Sequence, residues 1–98
     1  MTAALPKTMT KAQAEVIIKV LDREFDSHDF ICEYIYRFPS SYGELLIKHN
    51  NVNSAHAEIA NFLRYNSSVL NICKIGEMES ADIFGTPTIC ALWENMSI

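Results

Sequence analysis

Histidine and cysteine are the residues of this chain that could support nucleophilic catalysis. His28 and Cys32 are four residues apart, a spacing that places both side chains on one face of a helix. A working thiolate–imidazole pair also needs a third group that orients the histidine. The pair lies at the exposed start of a segment that is otherwise a core helix. We therefore predict that the protein is not an enzyme.

The same residue types could also bind a metal ion. The candidate zinc ligands are His28, Cys32, His49 and His56. Structural zinc sites pair their ligands at short spacings such as C-x-x-C or H-x-x-x-H, which these residues lack. Glu24, Asp26 and Asp29 gather at a helix junction, where helix capping and the helix dipole account for them. The sequence predicts no metal site and no cofactor.

The chain has three cysteines, Cys32, Cys73 and Cys90. An odd number without a close pair, in a chain whose first residues lack a signal peptide's apolar segment, favours reduced thiols in a cytoplasmic protein. All three lie in apolar runs, where a cysteine behaves as a small hydrophobic residue. We expect them to be buried in the core.

Length and composition predict one globular domain. The chain has 98 residues, of which 49% are hydrophobic and 20% are charged, and a chain of this size supports a single core. It contains no run of about 18 apolar residues, so we expect no membrane span. Pro6 would interrupt an early helix. We predict a flexible leader at 1–9 and a single domain at 10–98.

Apolar side chains that recur every three or four residues predict four helices. Thr10 and Gln13 form a capping box at the start of the first helix, and residues 41–44 repeat this pattern before the third. Asn53 or Ser54 is expected to cap the fourth. The predicted helices cover residues 11–25, a second segment that starts at Asp26 or Ser27 and is closed by Pro39, a short segment that ends before 49, and 54–66.

After residue 68 the apolar pattern changes to a period of two, which is typical of strands. Two strands are predicted at 69–75 and 88–93. The glycines and the proline between them favour a long, irregular loop. The predicted fold is therefore mainly α-helical with a C-terminal β-hairpin.

This order of elements resembles the winged helix-turn-helix superfamily. The resemblance rests on Tyr42-Gly43-Glu44-Leu45-Leu46, a turn at 50–53, Ile59 with Phe62-Leu63, Leu70 with Ile72, and a hairpin that ends at Trp93. Residues 11–25 would then be an additional N-terminal helix. The resemblance implies that helix 54–66 takes the place of the recognition helix and that loop 77–86 takes the place of the wing.

The resemblance therefore predicts a small regulatory protein that binds double-stranded DNA through helix 54–66. Side chains on this helix that could contact DNA are Asn53, Ser54, His56, Asn61, Arg64 and Tyr65. Charge argues against this function, because the chain carries a net charge of −4 and DNA-binding proteins neutralise phosphates with Lys and Arg.

The alternative is an acidic protein-interaction module, or a small inhibitor, that uses loop 77–86 and the hairpin. Glu77, Glu79 and Asp82 would contact a basic partner protein, although such carboxylates are also typical of a solvated surface. The amphipathic helix 11–25 either pairs with its copy in a homodimer or covers its own core. The sequence leaves both of these choices open.

Overall fold

The protein consists of five helices and a three-stranded antiparallel sheet over residues 9–97, the part of the chain that the structure, a computed structural model, describes. Its elements are α1 (Lys11–Val20), β1 (Glu24–Asp26), α2 (Ser27–Arg37), α3 (Pro39–His49), α4 (Val52–Tyr65), α5 (Ser67–Leu70), β2 (Ile72–Ala81) and β3 (Pro87–Asn95). This confirms a mainly helical domain with a C-terminal hairpin. Residues 1–8 of the predicted leader lie outside the described residues, whereas Met9 is buried in the core.

The first helix begins as predicted but ends early. Thr10 and Gln13 exchange two hydrogen bonds of 3.1 Å between side chain and backbone, so the capping box is confirmed. The helix stops at Val20, not at residue 25, because the chain turns extended at Leu21 and then forms β1. β1 pairs with β3, which lies about 70 residues further along the chain. The spacing of apolar residues along the chain does not indicate a pairing between strands that are so far apart in sequence.

α2 and α3 differ in how well their starts were predicted. Asp26 caps α2. Its carboxylate accepts the backbone N–H of Asp29 at 2.8 Å, and the Asp29 carboxylate accepts the backbone N–H of Asp26 at 3.0 Å. The predicted capping box at 41–44 is wrong, because α3 already begins at Pro39. Proline suits a first helical position, where no N–H donor is needed. Ser41 instead accepts a hydrogen bond from the Gln13 side chain at 3.0 Å.

α4 begins two residues earlier than predicted. Its cap is Asn51, which accepts the Ser54 N–H at 2.9 Å, so neither Asn53 nor Ser54 caps the helix. Asn50 ends α3 in the left-handed conformation with a φ of 51°, which Asn tolerates better than most residues. The buried stripe of α4 is confirmed for Ala55, Ile59 and Leu63, and Phe62 is half-buried.

The hairpin is longer and more regular than predicted. The predicted loop at 76–87 is wrong, since β2 continues to Ala81 and β3 begins at Pro87. Residues 69–70 belong to the short helix α5 rather than to a strand. Within the sheet the strand order is β1-β3-β2. The register shifts at a bulge between Lys74 and Gly76. Beyond the bulge, residues 77–81 pair in order with β3, so the strand continues.

The core lies between the helices and the root of the hairpin. Its fully buried large side chains are Tyr34, Phe25, Phe30, Ile17, Leu45, Ile59 and Leu63. The prediction that the cysteines are buried is wrong: Cys32 and Cys73 are exposed and Cys90 is half-buried. An apolar run in sequence covers both faces of an element, and only one of those faces meets the core. Among the described residues, none of the helices could span a bilayer.

α1 covers its own core. Ala14, Ile17 and Ile18 of this helix are buried, while Val16 and Val20 stay exposed by 43% and 50%. The apolar stripe predicted for residues 11–25 is therefore used mostly within the chain. A homodimer through this helix stays a prediction.

Candidate functional site: the hairpin arm and the cleft beside α4

The distal hairpin projects from the body of the domain. We call residues 73–91 the hairpin arm; none of them is buried. The large apolar side chains that the arm exposes are Ile75, Met78, Ile83, Phe84 and Ile89, with exposed fractions from 38% to 71%. In the strand register Met78 and Ile89 lie on opposite faces of the arm, so the arm offers apolar surface to another molecule on both faces.

Two carboxylates lie among these apolar side chains on β2. Glu77 and Glu79 are exposed, and in the strand register they face Ala91 and Ile89 of β3. The Glu77 carboxylate is 3.5 Å from the Lys74 ammonium, both of them largely exposed. Pairs of this kind contribute little to stability. Both glutamates therefore remain accessible to a partner.

Asp82 has a structural task in the turn of the arm. Its Oδ1 accepts the backbone N–H groups of Phe84 and Thr86, both at 2.9 Å. Gly85 in the same turn has a φ of 80°, which glycine adopts without strain. Of the predicted loop 77–86, residues 77–81 thus belong to β2, and only residues 82–86 form a turn, in which Asp82 organises the backbone.

β2 is an edge strand of the described sheet. The side of β2 that faces away from β3 offers backbone donors and acceptors to an additional strand. A second copy of this strand would fit poorly. Antiparallel self-pairing centred on Glu77, Met78 or Glu79 would place two glutamates opposite each other, which destabilises a sheet.

A cleft of about 350 Å³ separates the arm from α4. Asn53, His56 and Arg64 line it from α4, and Glu77 and Asp82 line it from the arm. The cleft therefore brings half of the predicted DNA-contacting residues beside two of the predicted protein-contacting acids. Its mixed charge differs from the uniformly positive surface that phosphates require.

The remaining DNA-binding candidates lie elsewhere on α4. Ser54, Asn61 and Tyr65 line a second groove, which they share with Glu58 and Phe62. The six residues predicted as one surface are thus divided between two grooves, which adjoin at Ala57.

His56 joins two helices. Its Nε2 lies 2.7 Å from the hydroxyl oxygen of Tyr42 on α3, and the two rings are 5.7 Å apart. Burial lowers the pKa of His56; Asp82 raises it in part, and His28 lowers it further. The lowered pKa favours the neutral ring, so His56 adds little positive charge to the cleft.

Cations around α4 are few. Arg64 is the only lysine or arginine in this helix. Two basic side chains at the end of α3 contact the same acid: Lys48 Nζ and His49 Nε2 lie 2.9 and 2.8 Å from Glu58 Oε1. Little positive charge is left to neutralise phosphate, in agreement with the charge argument from the sequence.

His28 does not form the catalytic pair suggested by its spacing from Cys32. Its Nδ1 lies 2.6 Å from Ser80 Oγ and its Nε2 lies 3.0 Å from Thr88 Oγ1, so the ring bridges the two strands of the arm. Partial desolvation and the nearby carboxylates, Asp29 first, raise the pKa of Cys32 and keep its thiol protonated. The thiolate that nucleophilic catalysis needs is therefore disfavoured.

Sequence reasoning missed the exposed apolar side chains of the arm. The alternation Glu77-Met78-Glu79 was the available signal, because an acid on every second residue is typical of an exposed strand and not of a loop. No family model, no curated protein and no solved structure matches the chain.

Proposed function

We propose that this protein is a non-enzymatic binding module whose hairpin arm captures a basic, extended segment of a partner protein. The observation that carries the proposal is the accessible outer edge of β2, which bears Glu77 and Glu79. An incoming strand would pair with the backbone of this edge, and its lysines or arginines would face the two carboxylates. This is recognition by β-strand addition.

An apolar side chain of β2 supports the same proposal. Met78 is exposed by 39% and lies on the face of the strand opposite to Glu77 and Glu79, so alternate side chains of the added strand would cover it. The two glutamates determine which charge the bound segment must carry, because they repel a second copy of β2 and attract a cationic segment. A module of this kind could act as a small inhibitor by occupying the partner's segment.

A synthetic peptide of alternating lysine and valine tests the proposal. We expect it to bind the full-length chain, measured by fluorescence anisotropy, and to slow hydrogen exchange at those β2 amides that do not bond to β3. The double variant Glu77→Lys with Glu79→Lys should weaken binding about tenfold or more, because attractive cross-strand pairs worth about 0.2–1 kcal/mol each become repulsive. Raising the salt concentration should weaken binding of the unaltered chain.

The matched control changes the net charge by the same amount at another place on the surface. Glu15→Lys with Asp22→Lys alters two exposed acids of the N-terminal region and should leave peptide affinity unchanged. A glutamate–valine peptide should not bind. Equal losses in the two double variants, or binding without protection of β2, would refute edge recognition.

DNA binding is the second candidate, favoured by one observation. α3 and α4 form a helix-turn-helix through Asn50 and Asn51, and the arm projects beside α4 as a wing would. This layout supports the winged-helix interpretation of the domain. A titration with mixed-sequence duplex at about 50 and 200 mM salt tests it, because affinity that depends on phosphate contacts falls steeply over that range.

Two variants assign any DNA binding to a surface. Arg64→Ala should weaken it if α4 is the contact, whereas Glu77→Lys with Glu79→Lys should strengthen it by removing repulsion from the arm. No binding at the lower salt concentration would eliminate the DNA candidate and leave the peptide proposal intact.

A further inference from the structure

Two side chains from the junction of β1 with α2 and one from β3 meet where α2 begins beside the arm. A potential ligand atom of each of Asp26, His28 and Cys90 lies within 4.8 Å of the others. Asp26 is 5% exposed, and His28 and Cys90 are half-buried. Because they supply one oxygen, one nitrogen and one sulfur, these atoms form a mixed ligand set and not an acidic cluster.

Strand register explains why these side chains meet. Asp26 is the last residue of β1 and pairs with Leu92 of β3. Side chains alternate along a strand, so Cys90, two residues from Leu92, points to the same face of the sheet as Asp26. His28 follows Asp26 by two residues in the first turn of α2, and its ring reaches Ser80 and Thr88 on the arm.

The surroundings suit a metal ligand set. Both ring nitrogens of His28 have hydroxyl neighbours, so whichever nitrogen binds a metal, the other keeps a hydrogen-bond partner that orients the ring. Ser80 Oγ is also 3.6 Å from Cys90 Sγ. Asp26 uses Oδ1 to cap α2, and this bond holds the carboxylate in place.

We propose that Asp26, His28 and Cys90 form a zinc-binding site. Thiolate and imidazole ligands select zinc over magnesium or calcium, and three protein ligands leave a fourth tetrahedral position for water or a partner's side chain. The bound ion would connect β1, the start of α2 and the arm. It would thereby restrict the motion of an arm that has no buried residue of its own.

Metal titration of the untagged full-length chain tests the site. With a chromogenic chelator as competitor, we expect one equivalent of Zn²⁺ to bind and the thermal midpoint to rise. With Co²⁺ as the probe, a thiolate-to-cobalt absorption band should appear. Cys90→Ser should abolish the band and lower zinc affinity at least about tenfold, in the range found for lost metal-site contacts.

The other two cysteines provide matched controls. Cys32→Ser and Cys73→Ser remove exposed thiols outside the cluster and should leave the band and the affinity unchanged. Asp26→Asn is a second test, because Asn caps a helix as well as Asp does but is a poorer zinc ligand. This variant should bind zinc more weakly, and it becomes the deciding test if Cys90→Ser fails to fold. Absence of saturable binding at micromolar Zn²⁺, or a band that survives Cys90→Ser, would overturn the proposal.

Discussion

The Tyr42 hydroxyl and His56 Nε2, 2.7 Å apart, connect α3 to α4 across the turn between these helices. The rings also contact each other, with centroids 5.7 Å apart. This polar contact adds to the packing of α4 against α3, so His56 helps to hold α4 in place.

Stability should fall in mild acid because of His56. Burial lowers the pKa of this ring below the ordinary value of 6.5, so the unfolded chain binds the proton more readily than the folded one. The free energy of unfolding is then highest above pH 6.5 and decreases as the pH falls below it. The free energy of unfolding can be measured in urea at about pH 7.5 and 5 by tryptophan fluorescence. Its decrease between the two pH values should be smaller in His56→Gln than in the unaltered chain. An unchanged difference would contradict this role.

Stability should also fall in strong alkali because of Tyr34. Burial raises the pKa of this fully buried phenol from 10 to about 12, so its contribution is complete below pH 10 and is lost as the pH rises towards 12. Tyr34→Phe should reduce the loss of stability between about pH 9 and 11. It should also cost about 1 kcal/mol at neutral pH, because the hydrogen bond with Ser41 disappears. If Tyr34→Phe lost as much stability over this pH range as the unaltered chain, ionisation of Tyr34 would not be the cause.

Ser27→Ala should destabilise the junction of α2 with the sheet. The indole N–H of Trp93, the only tryptophan of the chain, donates to Ser27 Oγ at 3.2 Å, and both residues are buried. Removing the acceptor leaves a buried donor unpaired, which costs about 1–3 kcal/mol. Denaturant unfolding measures the loss, and Trp93 itself reports it by fluorescence. Ser68→Ala, an exposed position, should change stability by less than about 0.5 kcal/mol.

Asp82→Ala should loosen the arm without unfolding the domain. The substitution removes the acceptor of two backbone N–H groups in the turn, a net loss of about 1 kcal/mol for each bond. Hydrogen exchange should accelerate at the tip of the arm while the thermal midpoint stays nearly constant, because residues 73–91 contribute no buried side chain. Asp82→Asn keeps an acceptor and should behave like the unaltered chain. Global unfolding of Asp82→Ala would contradict an independent arm.

Local patterns predicted the helical part of the fold well. Thr10 with Gln13 marks the start of α1, and Asp26 marks the start of α2, because capping bonds join residues only three apart. The apolar stripe of α4 was also visible in the sequence. Pro39 was expected to close the preceding helix, and α2 does end at Arg37; its second role, as the first residue of α3, was missed.

The sheet and the candidate sites depended on contacts between distant residues. β1 exists because residues 24–26 pair with residues 92–94, and the same pairing brings Cys90 beside Asp26 and His28. The sequence by itself indicated the helices α1 to α4, the C-terminal hairpin and the acidic charge. Only the tertiary structure decided which strand is the edge, which cysteines are exposed and which ligands meet. The reason is physical: capping and periodicity act within one or two turns, whereas the pairing of β1 with β3, and with it the meeting of Cys90 with Asp26, joins residues that the chain separates by more than 60 positions.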